Sequence, residues 1–504
     1  MGTLRGGSLL RPRVRIGAPD PSLTGVSGMV AVAELVEALG VVALLDAMVG
    51  PIKCRDRGMG AGELLVGMAT AQLAGQDHLV GLDRYRADAA GQALTPVPGL
   101  CSTTAAGLAR RMDTESWVGV ERAVAGATQR MLDLLPPQRV QTLLGAVTID
   151  MDTTDVEVYG RTKRGVAYTY QGQRCGRPHV ASWAETGLTL AADLLSGDQD
   201  PRPDAAGLLR RALARLPRGV RRVALRADAG YFAVDLAIAA HREGVRFAIG
   251  AKRIAPLWRT LAGIAESDWT EAIDMTGAQV AAADYRPAWW PINTRLLIRR
   301  VPLDASQVSA DPRARRRRSL HPDQRALPLE ELACADAVYA YSFILTNHDV
   351  STPARAAAVE HWYRHRTEIE NIFRDSKHGA ALRHLPSGYI EINTAWMWGA
   401  LLATSIAGWL HQLIATSPTP DDQAPENDPD PEDPEAISYP NTPEPLAGLG
   451  VRDGKAMIAT LRHRLLCIPG RLIHHAGQLI LRLPPGHQLL PVVLARLRAL
   501  PQPS

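Results

Sequence analysis

The spacing of apolar positions along this chain changes near residue 140, and the change divides it in two. From about Val30 to Pro136 apolar residues recur at three- and four-residue intervals, as in VAVAELVEALGVVALLDAMVG and GELLVGMATAQLAG, which predicts packed helices. After a Gly- and Pro-punctuated stretch comes CSTTAAGLARRMDTESW, where Ser102 or Thr103 is expected to cap a short helix carrying Arg110 and Arg111. In GAVTIDMDTT the period is two: Val147 and Ile149 alternate with Thr148 and Asp150. HVASWAE, GLTLAADLL, RRVALRADAGYF and VRFAIGAK read as further strands, with helices from near Asp204 and over DLAIAAHREG up to Gly244. Residues 145–252 therefore read β-β-β-α-β-α-β, a mixed sheet with helices against it.

Residues 255–338 are Trp-rich, with short strand-like pieces (AQVAAADYRP, TRLLIRRV) and a loop bearing Arg313 and Arg315–Arg318, and read as a β-rich insertion. VYAYSFILTN is one more strand, followed by a charged stretch, EHWYRHRTEIENIFRDSKHG, with no helix breaker before its last residue. Ala395–Ala415 carries no formal charge and is long enough to span a bilayer. A helix apolar all round also suits the core of a large domain, and that is the expectation here, with no membrane partner. GRLIHHAGQLILRLP reads as two short strands around Ala476-Gly477.

Composition sharpens this picture in one respect. The 504 residues carry a net charge of only +4, yet the tract from Thr416 to Leu446 holds nine acids and no Lys or Arg; without it the remainder is at +13. A basic body suggests a polyanion partner, and the Pro/Asp/Glu tract reads as a disordered linker. Five scattered cysteines, none in a C-x-x-C spacing, argue against a disulfide framework and a thiolate zinc site and fit a reducing cytosol. Met1–Arg15 has no apolar core of the kind that a signal peptide needs.

The candidate chemistry lies in carboxylates. Asp150 and Asp152, two apart on a strand, point to one face, while Ile149 and Met151 are free to bury on the other. Carboxylates inside a strand need a cation or a polar rim. Asp228 follows an apolar run at the carboxyl end of another strand, where open α/β sheets place ligands. Along one continuous helix Tyr363, Arg366, Glu370 and Lys377 fall within an arc of about 60°, over about 21 Å of axis. An exposed salt-bridged stripe, such as Arg366 with Glu370, accounts for the pair at i,i+4, but not for a Tyr and a Lys each about 10 Å from the Glu along the axis. A ligand with repeating phosphates accounts for both. His361 and His365 read as surface histidines.

The spacing Y-x2-R-x3-E-x6-K, held by Tyr363, Arg366, Glu370 and Lys377, resembles the signature of a branch of insertion-sequence DDE transposases. DTT at 152–154 is similar to that branch's first catalytic Asp with its threonines, and DAGY at 228–231 to its second; the insertion-sequence thirteen-eighty type is the sub-branch the chain looks most like. The resemblance implies an RNase H-like α/β core, with a mixed sheet, flanking helices and a β-rich insertion, behind a helical N-terminal domain. The implied boundaries are a flexible 1–25, a helical DNA-binding domain at 26–138, the core at 139–253 and 339–415, the insertion at 254–338, the acidic linker at 416–446 and a basic region at 447–504. It implies Asp152, Asp228 and Glu370 as catalytic residues and ligands of two Mg²⁺ ions, with Mn²⁺ able to substitute, and keeps Asp150 as the alternative first Asp. Tyr363, Arg366 and Lys377 would contact DNA, joined by Arg110 and Arg111 of the N-terminal helices, whose helix–turn–helix pattern is compatible with a DNA-binding module. The partners implied are the terminal inverted repeats of an element, target DNA and a second copy of the chain, in a bacterial cytoplasm. The competing readings are a repurposed DNA-binding protein without catalysis and an RNase H-like nuclease that cuts without joining.

Overall fold

The computed structural model describes residues 14–53, 58–311, 313–335, 337–416 and 457–501. The acidic tract lies mostly outside them. The N-terminal part is helical as its periodicity requires, with α1 (Met29–Ala38), α2 (Val41–Val49), α3 (Ala61–Leu73), α4 (Ser102–Ala109) and α5 (Thr114–Asp133). Neither Ser102 nor Thr103 caps α4. Cys101 occupies the cap position, and the Ser102 amide and hydroxyl both donate to the Asp83 carboxylate.

Next come strands β1 (Val147–Thr153), β2 (Arg174–Trp183) and β3 (Leu188–Ser196), helix α6 (Arg202–Leu213), strand β4 (Val223–Ala227), helix α7 (Val234–Arg242) and strand β5 (Arg246–Gly250). Apart from two short strands, Val156–Glu157 and Ala167–Tyr168, between β1 and β2, the order is the one that the alternating pattern predicts. The insertion adds β6 (Thr270–Glu271), β7 (Gln279–Ala283) and β8 (Arg295–Pro302), and β9 (Tyr339–Thr346) follows. All of these join one eleven-stranded mixed sheet of order β3-β2-β1-β4-β5-β9-β8-β7-β6, with two short strands added against β2. β1, β4 and β5 run parallel to their neighbours in that trio, and the remaining pairs are antiparallel. The insertion thus extends the central sheet.

α8 (Pro353–Arg364) starts at a Thr-Pro pair: Thr352 Oγ1 accepts from the Arg355 amide at 3.3 Å, and the proline stands at the first helical position. A single 3₁₀ turn, His365–Thr367, leads into α9 (Glu368–His378), and α10 (Ile390–Thr416) contains the apolar segment Ala395–Ala415. In the fold α10 packs on α3, α5, α1 and β3, with Trp396, Trp398 and Trp409 fully buried. Some polar groups of this helix region find partners: Gln72 donates to the Trp396 carbonyl, Trp409 to Thr128 Oγ1, and Arg139 to Gln412. Among the described residues no helix is long and apolar enough to cross a membrane. One apolar cluster runs from Met29 through the sheet to Leu497, so the N-terminal helices and the sheet share a core.

Beyond the acidic tract the chain returns to α9 and α3. The Ile458 amide donates to Asp375 on α9 at 2.9 Å, and Arg462 donates to the carbonyls of Leu73 and Gln72. The C-terminal hairpin, Gly470–His475 with Gln478–Arg482, turns at Ala476-Gly477, both at positive φ, as a two-residue turn of the primed type demands. Its first strand, Gly470–His475, also pairs with Leu23–Thr24, so this end of the 1–25 segment is held in a sheet.

Candidate active site

Register places the carboxylates of β1 and β4. Met151 is the partner of Ala227 on the parallel neighbour, so Asp152 and Asp228 follow at the carboxyl ends of adjacent strands, about 4.8 Å apart in the pairing direction. Asp228 opens a 3₁₀ turn, its Oδ1 accepting from the Gly230 amide at 2.7 Å. Asp152 Oδ2 accepts from Arg366 Nη1 at 3.1 Å, and α9, which carries Glu370, packs against β1. Burial first, and then the Asp228 carboxylate, push the Asp152 carboxyl up to about 7; Glu370 adds to the rise and Arg366 opposes it. Two acids remote in sequence therefore act on Asp152 here.

Asp150 faces the same way but is differently placed. It is fully buried, and Arg226, its register partner on β4, binds it through Nε at 2.7 Å and Nη2 at 2.8 Å. Arg226 Nη1 continues to the Trp362 carbonyl at 2.6 Å, while the Trp362 indole donates to Thr148 Oγ1 at 3.2 Å. These contacts fasten the end of α8 to the sheet.

The continuous helix expected over 360–379 is corrected: it breaks at residues 365–367. The Trp362 carbonyl, engaged by Arg226, lies where the winding tightens, and a side chain entering the main-chain ladder is a known cause of such breaks. Three residues of 3₁₀ winding advance the helix phase by about 60° beyond α-helical winding, so the expected single stripe is split. The Tyr363 hydroxyl donates to the Ala227 carbonyl at 3.2 Å, and burial above all pushes its pKa up to about 12. Lys377 Nζ donates to the Asp155 carbonyl just beyond β1 at 2.8 Å, while Glu370 is exposed. Arg110 and Arg111 are exposed at the end of α4; Arg110 lies over the Tyr389 ring at 4.1 Å, before α10. His361 and His365 stack on each other at 4.5 Å.

Among the described residues no three His, Cys, Asp or Glu side chains gather closely enough to hold a metal ion as they stand. The donor chemistry nevertheless suits a hard divalent cation: Asp152 is a largely buried aspartate whose ionised form the charges of Asp228 and Glu370 penalise. Asp152 and Asp228, with Glu370 from α9, are the residues that would hold it.

Reasoning from the sequence missed Arg226, Trp362 and Gly250. An arginine within the buried strand VALRADAG was the available signal for the first. Gly250 ends β5 against the site: a Cβ there would lie 2.7 Å from both the Ala229 amide nitrogen and the Tyr363 hydroxyl. Gly250→Ala is expected to shift the Asp228 turn, lowering stability by about 1–3 kcal/mol and slowing catalysis while ligand binding persists. Thermal melting beside a turnover assay checks both.

A family model described as "Transposase DDE domain group 1" matches residues 8–310, a segment that contains Asp152 and Asp228 and ends before Glu370. No curated protein matches the sequence. Among solved structures, a cryo-EM structure of the piggyBac transposase synaptic complex with hairpin DNA aligns with 77% of this chain and 76% of that one, at 11% identity and a TM-score of 0.35. So loose an overlap carries no argument about the site.

Proposed function

This chain belongs to the transposase DDE domain family, group 1, and from that premise we propose that it moves an insertion sequence by cut-and-paste transposition, as a member of the branch with the Y-R-E-K signature, the thirteen-eighty type. The observation that carries the proposal is the pairing of Asp152 and Asp228 at adjacent parallel strand ends, with Glu370 within electrostatic reach. The strand order β3-β2-β1-β4-β5, antiparallel on one side of β1 and parallel on the other, supports an RNase H-like core.

Transposases of the DDE type generally use divalent metal ions, here Mg²⁺ with Mn²⁺ as a substitute; when bound, such ions activate the attacking oxygen and stabilise the leaving one. Asp152, Asp228 and Glu370 would hold them, and Asp150, neutralised by Arg226, serves the framework. Arg366, which here donates to Asp152, would have its planar fork free for a phosphate if that carboxylate held a cation instead. Tyr363 pins α8 to β4, and Lys377 ties α9 to the end of β1. Water is the first nucleophile, and the freed 3′-hydroxyl of the element end attacks target DNA next. Two ends are joined in one event, so a second copy of the chain takes part.

The test is a supercoiled plasmid carrying the element's ends, incubated with the purified chain and Mg²⁺. Excised element and joined products are expected. Binding without cleavage would favour a repurposed DNA-binding protein, and cleavage without joining an RNase H-like nuclease.

A further inference from the structure

Beyond Gly250 the chain continues through Ala251 to Lys252 and Arg253, both exposed. Arg253 Nη2 donates to Ser319 Oγ at 2.8 Å and its Nε to the Tyr341 carbonyl at 3.3 Å, which brings the four-arginine turn Arg315–Arg318 against the end of β5. Within that turn Arg317 is buried and donates to the carbonyls of Ser309, Arg325 and Leu327. It is an anchor, and Arg315, Arg316 and Arg318 remain exposed around it. Among the described residues none of Lys252, Arg253, Arg315, Arg316 or Arg318 forms an ion pair with an acid. Asp200, which senses Lys252, is held by Arg202, and Asp323 faces His321. The crowding has an electrostatic consequence: desolvation of its guanidinium first, although the residue as a whole is exposed, and then Arg315 and Arg318, hold Arg253 below its ordinary value.

We propose that this arm, Lys252 and Arg253 with Arg315, Arg316 and Arg318, is a phosphate-tracking surface for duplex DNA, gripping the backbone beside the phosphate cut at Asp152 and Asp228. The assignment rests on the transposase reading and adds to it a surface outside the Y-R-E-K helices. Uncompensated like charges repel one another, and a polyanion relieves them while releasing its own counterions. Arginine suits the task because its fork matches phosphate oxygens. Position supports the same partner. Arg253 lies three residues, about 10 Å of extended chain, beyond Gly250, whose backbone abuts the Asp228 turn. The arm therefore sits on the same edge of the sheet as the carboxylates.

Salt dependence of binding tests it without requiring cleavage. The probe is a short random-sequence DNA duplex titrated with the full chain between about 50 and about 200 mM salt. Arg315→Ser with Arg318→Ser is expected to make the slope of log affinity against log salt shallower by about 1.8, at 0.9 per phosphate contact. The wild type's advantage then shrinks about 12-fold across that range. Arg253→Ser should remove about 0.9 more, while Arg315→Lys with Arg318→Lys should keep the wild-type slope, which separates charge from folding. A slope that the serine variants leave unchanged overturns the arm. Wild-type protein that shows this slope loss on mutation but never cleaves would keep the arm and remove the transposase reading.

Discussion

Asp152→Asn is expected to lower Mg²⁺-dependent cleavage at the element's ends by at least about 10³-fold, several kcal/mol of transition-state stabilisation, while end DNA is still bound. The same substitution has a second consequence that needs no activity. In the folded chain burial and the Asp228 carboxylate push the Asp152 carboxyl up to about 7, from an ordinary value of 3.8. A raised carboxyl means that the folded state holds its proton more tightly than the unfolded chain does. Without metal, wild-type stability is therefore full below about pH 4 at this group and is lost as pH rises through 7, on the order of 4 kcal/mol in all. Asn carries no such penalty, so metal-free Asp152→Asn should melt higher than wild type at pH 8 and alike at pH 4. Added Mg²⁺ should then raise the melting temperature of the wild type and leave that of the variant unchanged. Equal melting of the two proteins at pH 8, with equal response to Mg²⁺, would remove Asp152 as a metal ligand.

The Asp150–Arg226 pair should yield the other large effect, and of a different kind. Asp150→Asn strands a buried guanidinium, and breaking such a pair costs about 3–5 kcal/mol, a drop in melting temperature on the order of 10 °C. Asp150→Leu combined with Arg226→Met is expected to recover most of that stability, since the buried charge leaves with its partner. Cleavage should stay low in the double variant, because the Trp362 carbonyl loses the tether that Arg226 provides. An Asp150→Asn protein that melts like wild type yet cannot cleave, beside an active Asp152→Asn, would reverse the assignment of the two aspartates.

These two neighbours show where reading the chain alone stops. Strand period places Asp150 and Asp152 on one face, and both do lie there. Which of them is neutralised depends on Arg226, 76 positions away and opposite Asp150 in the parallel register. The charged stretch at 360–379 shows the same limit, because its break follows a contact from β4 with the Trp362 carbonyl. The insertion, too, reads as strands locally, while its membership of the central sheet is a matter of pairing between β5 and β9.

The chain's own pattern was enough for the helical first part, the main order of strands and helices from 145 to 252, and the burial of the apolar segment at 395–415. All of these depend on neighbours within a few positions, where side-chain period and main-chain preference decide the outcome. The tertiary structure alone decided the buried partner of Asp150, the turn that splits the Glu370 helix, the approach of Gly250 to the Asp228 turn, and the crowding of Arg253 with Arg315 and Arg318. Each of those is a contact across distant parts of the chain, and its energy exists only once packing has brought the two sides together.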